Sequence, residues 1–221
     1  MFRAILLTQW KWTRLPLLFG ALLAFWIPLL SVQRAAMSSG SRYDLLYNTR
    51  DVLIGVEGWS VAYPLLAAAL ALLVSAIGWA PDHQGKHVYA LSLPVARWHY
   101  SLLRFGAGAV LLAAPVIALS AGALLATSVA TIPPGTHPHV WALTIRFGLA
   151  IAVAYALLFA LASGSNRMAR YILSVLGGVV VLHILLMAAA NVDLLQYLAQ
   201  WVLLWPGPLQ IFTGRWMLID V

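Results

Sequence analysis

Apolar residues gather in five stretches, 15–32, 58–80, 103–128, 141–163 and 171–190, each long enough for a membrane-crossing helix. Twenty residues rising ~1.5 Å each cover ~30 Å, the thickness of a hydrocarbon core. Trp59 and Trp79 bracket the second stretch, as interfacial anchors do. From Phe105 to Ile145 no charge occurs other than histidine, but Pro133-Pro134-Gly135-Thr136-His137-Pro138 cuts that run into two spans. Pro16 and Pro28 lie near the ends of the first stretch, where a membrane helix tolerates them if neighbours satisfy the freed carbonyls. Gly106, Gly108, Gly122, Gly177 and Gly178 give the third and fifth stretches small-residue faces suited to close helix packing.

The flanking segments are polar in different ways. Phe2 to Arg14 places Arg3, Lys11 and Arg14 on one side of a helix with Phe2, Ile5 and Leu6 roughly opposite, interrupted by Leu7. With Trp10 and Trp12 this predicts an amphipathic helix over 1–14 lying on the membrane surface; the alternative is an extension of the first span. Segment 33–57 mixes Arg34, Arg42, Arg50, Asp44, Asp51 and Glu57 with Ser-Ser-Gly-Ser, and reads as an external loop holding one short helix near 43–54. Segment 163–170 (SGSNRMAR) is short and basic. Segment 191–221 is apolar but carries Gln196, Gln200 and Gln210 and is broken by Pro206-Gly207-Pro208. It either crosses as a Pro-broken sixth span or dips in and returns as a re-entrant segment.

Composition agrees: the chain is 63% hydrophobic and 9% charged, where soluble domains carry roughly a quarter charged residues. The expected fold is therefore all-α, a polytopic membrane helical bundle forming one domain over 1–221. The net charge of +7 comes from basic residues dispersed at the ends of apolar runs, so it reports topology and not a nucleic-acid surface. Arg3, Lys11, Arg14, Lys86, Arg97, Arg104, Arg167 and Arg170 fall in segments assigned to the inside, against Arg34, Arg42, Arg50, Arg146 and Arg215 elsewhere. That excess puts the N-terminus in the cytoplasm and the chain in a cytoplasmic (inner) cell membrane. The first apolar run ends without an Ala-x-Ala-like site, so it reads as an anchor and not a cleaved signal.

Candidate chemistry is sparse. No Gly-x-x-x-x-Gly-Lys-Ser/Thr loop occurs, so the phosphate cradle that ATP hydrolysis needs is missing from this chain, and with no cysteine there is no thiolate metal site. There is no His-Glu-x-x-His helix, no Gly-x-Ser-x-Gly elbow and no carboxylate within the five stretches, which argues against an intramembrane enzyme. His183 falls in the middle of the fifth stretch, where a polar side chain either lines a path or bonds to a neighbouring helix; a pigment ligand is the weaker option. Arg146 lies five residues beyond Trp141, close enough to the outer interface to snorkel, or else it faces a substrate path. His137 and His139 sit in a proline-rich turn and read as solvated.

The patterned interior segment is 81–100, PDHQGKHVYALSLPVARWHY. Asp82, His83, Lys86 and His87 with Val88 and Leu91 suit a short surface helix, and Leu93-Pro94 makes a corner before Arg97, His99 and Arg104 lead into the third stretch. Positive-inside bias accounts for Lys86, Arg97 and Arg104 but not for the Leu-Pro-Val-x-Arg order. An acidic residue, a glycine and then Leu-Pro-Val-x-Arg with a following aromatic, here Asp82, Gly85, Leu93, Pro94, Val95, Arg97 and Tyr100, resemble the permeases of ABC-2-type (type V) ATP-driven transporters. The resemblance implies that this loop is a coupling helix docking on a separate ATPase subunit, with Asp82, Gly85, Lys86, His87, Leu93, Pro94 and Arg97 as coupling residues. It implies a second permease, identical or paralogous, a substrate path between the two, export as the direction, and no cofactor in this chain because ATP and Mg sit on the partner. A non-transporting accessory subunit of a larger membrane complex is the alternative.

Because the chain has no cysteine, topology can be read with single introduced ones. Cysteines at Ser39 and Gln84, probed with a membrane-impermeant thiol reagent on intact cells, should label at Ser39 alone; the reverse pattern would invert the topology.

Overall fold

The computed structural model describes residues 1–38, 57–84, 96–129, 137–164, 166–190, 193–204, 207 and 209–220. Helices dominate it: α1 (Phe2–Ser38), α2 (Ala62–Gln84), α3 (Arg97–Val129), α4 (Val140–Ser163), α5 (Asn166–Ala190) and the short α6 (Leu194–Leu203). Four are long and apolar enough to cross a membrane: Phe2–Val32 of α1, Ala62–Ala80 of α2, Trp98–Val129 of α3 and Val140–Ser163 of α4. The protein is a multi-pass membrane protein built as an all-α bundle. The expected fifth span lies inside α5, whose described apolar part is Gly177–Met187. α6 has ten residues, so it rises ~15 Å, about half a hydrocarbon thickness.

The surface helix expected over 1–14 is not a separate element but the first turns of α1, which runs unbroken through Pro16 and Pro28 for 37 residues. The buried positions explain the continuity. Gln9, Thr13, Leu17, Gly20, Ala24, Ile27 and Ser31 recur every three or four residues, so one face carries on from the polar start into the apolar run. Polar members of that stripe are satisfied locally: Thr13 Oγ1 donates to the Gln9 carbonyl at 2.8 Å and Ser31 Oγ to that of Pro28 at 2.7 Å. Arg3, Lys11 and Arg14 remain exposed on other faces. α3 begins at Arg97, before the 103 expected, and α5 at Asn166, before 171, because polar residues flanking the apolar runs continue the helices.

In the bundle, α1 packs most extensively on α3 and α2 on α4, with α1 also against α2 and α3 against α4. Helix directions follow from the pairings. Gln9 meets Arg104 near the start of α1 and α3, and Trp79 meets Phe159 near the ends of α2 and α4 with ring centroids 5.4 Å apart. α1 and α3 therefore run parallel, opposite to α2 and α4. The end holding Met1, Gln84, Arg97 and Ser163 is called the inner end, after the sequence-based expectation for the N-terminus, and the opposite end the outer end. At the outer end the chain closes with a two-residue antiparallel pairing, β1 (His137–Pro138) against β2 (Ile219–Asp220), an addition to the all-α expectation. His139 N also donates to Leu218 O at 2.8 Å. Trp216, Met217, Leu218 and Ile219 are buried there. Among the described residues α5 packs chiefly on α6 and has no comparable contact with α1 to α4.

α1 and α3 approach closely at Gly122, where a Cβ would run into the backbone of Phe25. Gly122→Val should therefore destabilise the bundle by about 1–3 kcal/mol, the usual cost of overpacking. Gly178→Ala, where a Cβ meets nothing within 4 Å, should leave stability unchanged, and reversible denaturation in mild detergent checks both.

Candidate functional site

At the inner end a single arginine residue joins three helices, its guanidinium reaching α2 and its carbonyl reached from α1. Arg104, two turns into α3, is 6% exposed. Its Nη1 donates to Tyr100 Oη at 2.8 Å, one helical turn back, and its Nη2 donates to the carbonyl of Gly78 on α2. The guanidinium carbon lies 4.7 Å from the centre of the Trp79 ring and 5.6 Å from that of Tyr100. From α1, Gln9 Nε2 donates to the Arg104 carbonyl at 3.2 Å. A buried charge is tolerated only when paired and hydrogen-bonded, and a planar fork between two aromatic faces and a helix carbonyl provides that. Trp79 passes the contact on to Phe159, which packs with Phe105 and Tyr155 (centroids 5.3 and 5.6 Å).

This lock lies directly behind the patterned loop. Gly78 is six residues before the described end of α2 at Gln84, and Arg104 is seven after the start of α3 at Arg97. The two legs that carry segment 85–96 are thus joined to each other and to α1 within about two turns of where the loop leaves them. Of the coupling residues, Asp82 falls in the last turn of α2 and Arg97 is the first residue of α3; their side chains lie outside the described residues, as do Gly85, Lys86, His87, Leu93 and Pro94. Tyr100, the aromatic closing the motif, is described: it is buried and holds Arg104.

The other two candidates go to different places. Arg146, half-buried on α4, bonds to three carbonyls of the C-terminal segment: Nε to Ile211 at 3.2 Å, Nη1 to Arg215 at 2.6 Å and Nη2 to Thr213. Its guanidinium also lies 4.5 Å from the Trp216 ring centre, and Trp216 stacks on Tyr63 of α2 at 6.3 Å and 12°. Those carbonyls converge because the chain turns through Gly214, whose φ of 83° suits glycine. Arg146 is a clamp on the C-terminal segment. His183 is two turns from the end of α5, its side chain 18% exposed and its Nδ1 3.6 Å from Asp193 Oδ1, beyond hydrogen-bonding distance. Asp193 caps α6, accepting from Gln196 N at 2.9 Å. Arg146 and His183 share no partner. Among the described residues no group of three His, Cys, Asp or Glu is placed to hold a metal ion.

Gln9 and Arg104 were the residues that pattern reading underrated. Gln9 looks like part of a polar face, yet its spacing of four from Thr13 and eight from Leu17 puts it on the core stripe. Arg104 looks like one more topological cation, but a tyrosine four residues earlier and a tryptophan closing the antiparallel neighbour are the partners that let it be buried. Comparisons with protein-family models, with curated proteins and with solved structures found no match.

If Arg146 is the clamp, Arg146→Met should release 209–219, raising amide exchange there by roughly tenfold or more, since hydrogen bonds to a charged group contribute about 1.5–3 kcal/mol each. Arg215→Ala, which alters an exposed side chain and keeps the Arg215 carbonyl, should exchange like the unaltered chain.

Proposed function

We propose that this chain is the membrane-spanning subunit of an ATP-driven transporter of the ABC-2 kind, an exporter that works with a separate ATPase and a second permease. What carries this reading is the Arg104 lock behind segment 81–100. A loop that must convert docking and closure of an ATPase into motion of membrane helices needs rigid legs, because binding energy becomes rigid-body motion only when the element pushed does not bend alone. α2 and α3 supply the legs, and Arg104 with Gln9 binds them to α1. The motif residues Asp82, Gly85, Leu93, Pro94, Val95, Arg97 and Tyr100 support the same reading. In it the N-terminus is cytoplasmic, α5 is a fifth crossing, and α6 with the C-terminal turn dips into the outer half of the membrane and returns. ATP and Mg belong to the partner, and the substrate path lies between two permeases.

The second reading, a non-transporting subunit of a larger membrane complex, draws on α5 and α6. Tyr171, Val175, Tyr197 and Trp201 are 59–73% exposed there, a surface that a large partner could cover. Both readings predict co-purifying chains and differ in whether one is an ATPase.

Gentle purification of the native complex tests the proposal, with Arg97→Ala compared against Arg42→Ala from segment 33–57. An ATPase should co-purify with the unaltered chain and with Arg42→Ala. Arg97→Ala should insert normally yet retain roughly tenfold less ATPase, or lose coupled transport, as expected for loss of one ionic contact with the partner. Recovery of no ATPase with the unaltered chain would sink the proposal, and identical behaviour of the two variants would make 81–100 an ordinary basic loop.

A further inference from the structure

Between α3 and α4 lies an open-sided cavity of about 370 Å³, created by the order of side-chain sizes along the two helices. Near the inner end Phe105 stacks on Tyr155 with ring centroids 5.0 Å apart and planes at 20°, so large rings fill the space between the helices there. Outward of that pair the facing residues shrink to Ala109 and Ala113 on α3 and to Ala152 and Gly148 on α4. A notch is left. At Gly148 a Cβ would stand 3.6 Å from Val116, an ordinary contact, so room remains up to that level.

The walls define what can enter. Tyr155 carries the only polar side-chain atom of the lining, and its hydroxyl donates to the Phe105 carbonyl at 3.3 Å. No lining side chain calls for a polar ligand, and a wholly apolar cavity stays dry. Apolar cavities of about 150 Å³ accept a guest the size of benzene, and this one is more than twice as large. Leu112, Ile151 and Tyr155 are buried at its floor, whereas Ala109, Ala113, Ile117 and Ala152 are exposed along its open side.

Its length and depth match one component of the bilayer. Phe105 to Ile117 is twelve residues along α3, a rise of ~18 Å, against ~15 Å for half of a hydrocarbon core. The lining begins one residue beyond Arg104, and α3 carries no charge from 105 to 129. The cavity therefore starts where hydrocarbon starts and ends near the midplane. Its open side is continuous with the lipid-facing surface, where Val110 and Leu149 are exposed on the adjoining turns. Among the described residues α5, the remaining long helix, packs chiefly on α6 and not across this seam.

We infer that this cavity is a binding site for one phospholipid acyl chain from the leaflet at the inner end, held in preference to the boundary lipid around the bundle. The chain lies along α3, with its first methylenes beside Phe105 and Tyr155 and its far part beside Val116 and Gly148. Against a smooth helix face one lipid tail merely replaces another. Seated in the notch, a tail supplies dispersion contacts that the lining otherwise lacks. The inference needs only that the bundle spans a membrane, and not that it is coupled to an ATPase.

Photo-crosslinking of the full chain in phosphatidylcholine bilayers tests it, with trace phosphatidylcholine carrying a diazirine at mid-chain. Leu72 and Leu73 of α2 report boundary lipid: they are exposed and lie six and five residues outward of Gly78, as Val110 and Ala109 do of its partner Arg104. Adducts on 109–117 and 148–152 should exceed those on Leu72 and Leu73 about tenfold, a preference of about 1.4 kcal/mol. Ala113→Phe and Ala152→Phe, which fill the notch from exposed positions, should each bring that ratio near one. Leu65→Phe, at an exposed position of α2, should leave it unchanged. Equal labelling of the two regions would mean boundary lipid only, no labelling across the cavity would mean that protein covers it, and an unchanged ratio in both filled variants would mean that no chain is seated there. Each of these would overturn the inference.

Discussion

One buried guanidinium constrains the inner end of the molecule. Arg104 could not sit among Trp79, Tyr100 and the Gly78 carbonyl unless all three stayed in place, because a buried charge that loses its partners faces a desolvation penalty of several kcal/mol. The geometry of α2 against α3 is thereby fixed by polar chemistry where apolar packing alone would permit sliding. Lipid tails are as apolar as leucine, so helices in a membrane lack a hydrophobic drive to associate, and polar contacts and close small-residue approaches determine which pairs form. Gly122 against Phe25 supplies the second kind of contact between α1 and α3, and Arg104 the first.

The outer end repeats the device with a different purpose. Arg146 also places a guanidinium against an indole, but its partners are carbonyls of the C-terminal segment, in a single 3-10 turn (Gln210–Phe212) and the irregular chain after it, whose free backbone groups would otherwise be costly near hydrocarbon. Arg104 makes three helices one body; Arg146 holds a turn shut and seats Trp216 on Tyr63. The small pairing of β1 with β2 belongs to that closure. The described helices are thus tied by a guanidinium at each end of the bundle.

Four helices long and apolar enough to cross a membrane were legible because apolar length survives any error of register. The N-terminus was harder. Arg3, Lys11 and Arg14 with two tryptophans imitate a surface helix, and only the run Gln9, Thr13, Leu17, Gly20 shows that the core face continues through them. Arg146 was legible as an arginine that reaches the outer end, but its partners are backbone carbonyls, which carry no side-chain signature in sequence. Arg104 was visible only as a cation, because burial depends on what two other helices bring to it. The loop residues Gly85, Lys86, His87, Leu93 and Pro94 lie outside the described residues, so the motif that prompted the functional proposal is tested by chemistry and not by geometry.

The central claim is that Arg104 makes the inner ends of α2 and α3 a single rigid unit. Pulsed electron paramagnetic resonance on the naturally cysteine-free chain addresses it, with spin labels at Ala76 and Trp98 for the inner end and at Val61 and Val129 for the outer end, all exposed positions. The claim predicts a narrow distance distribution for both pairs, and in an Arg104→Met background a broadened one for Ala76 to Trp98 alone. An inner-end distribution that stays equally narrow without the guanidinium would contradict it.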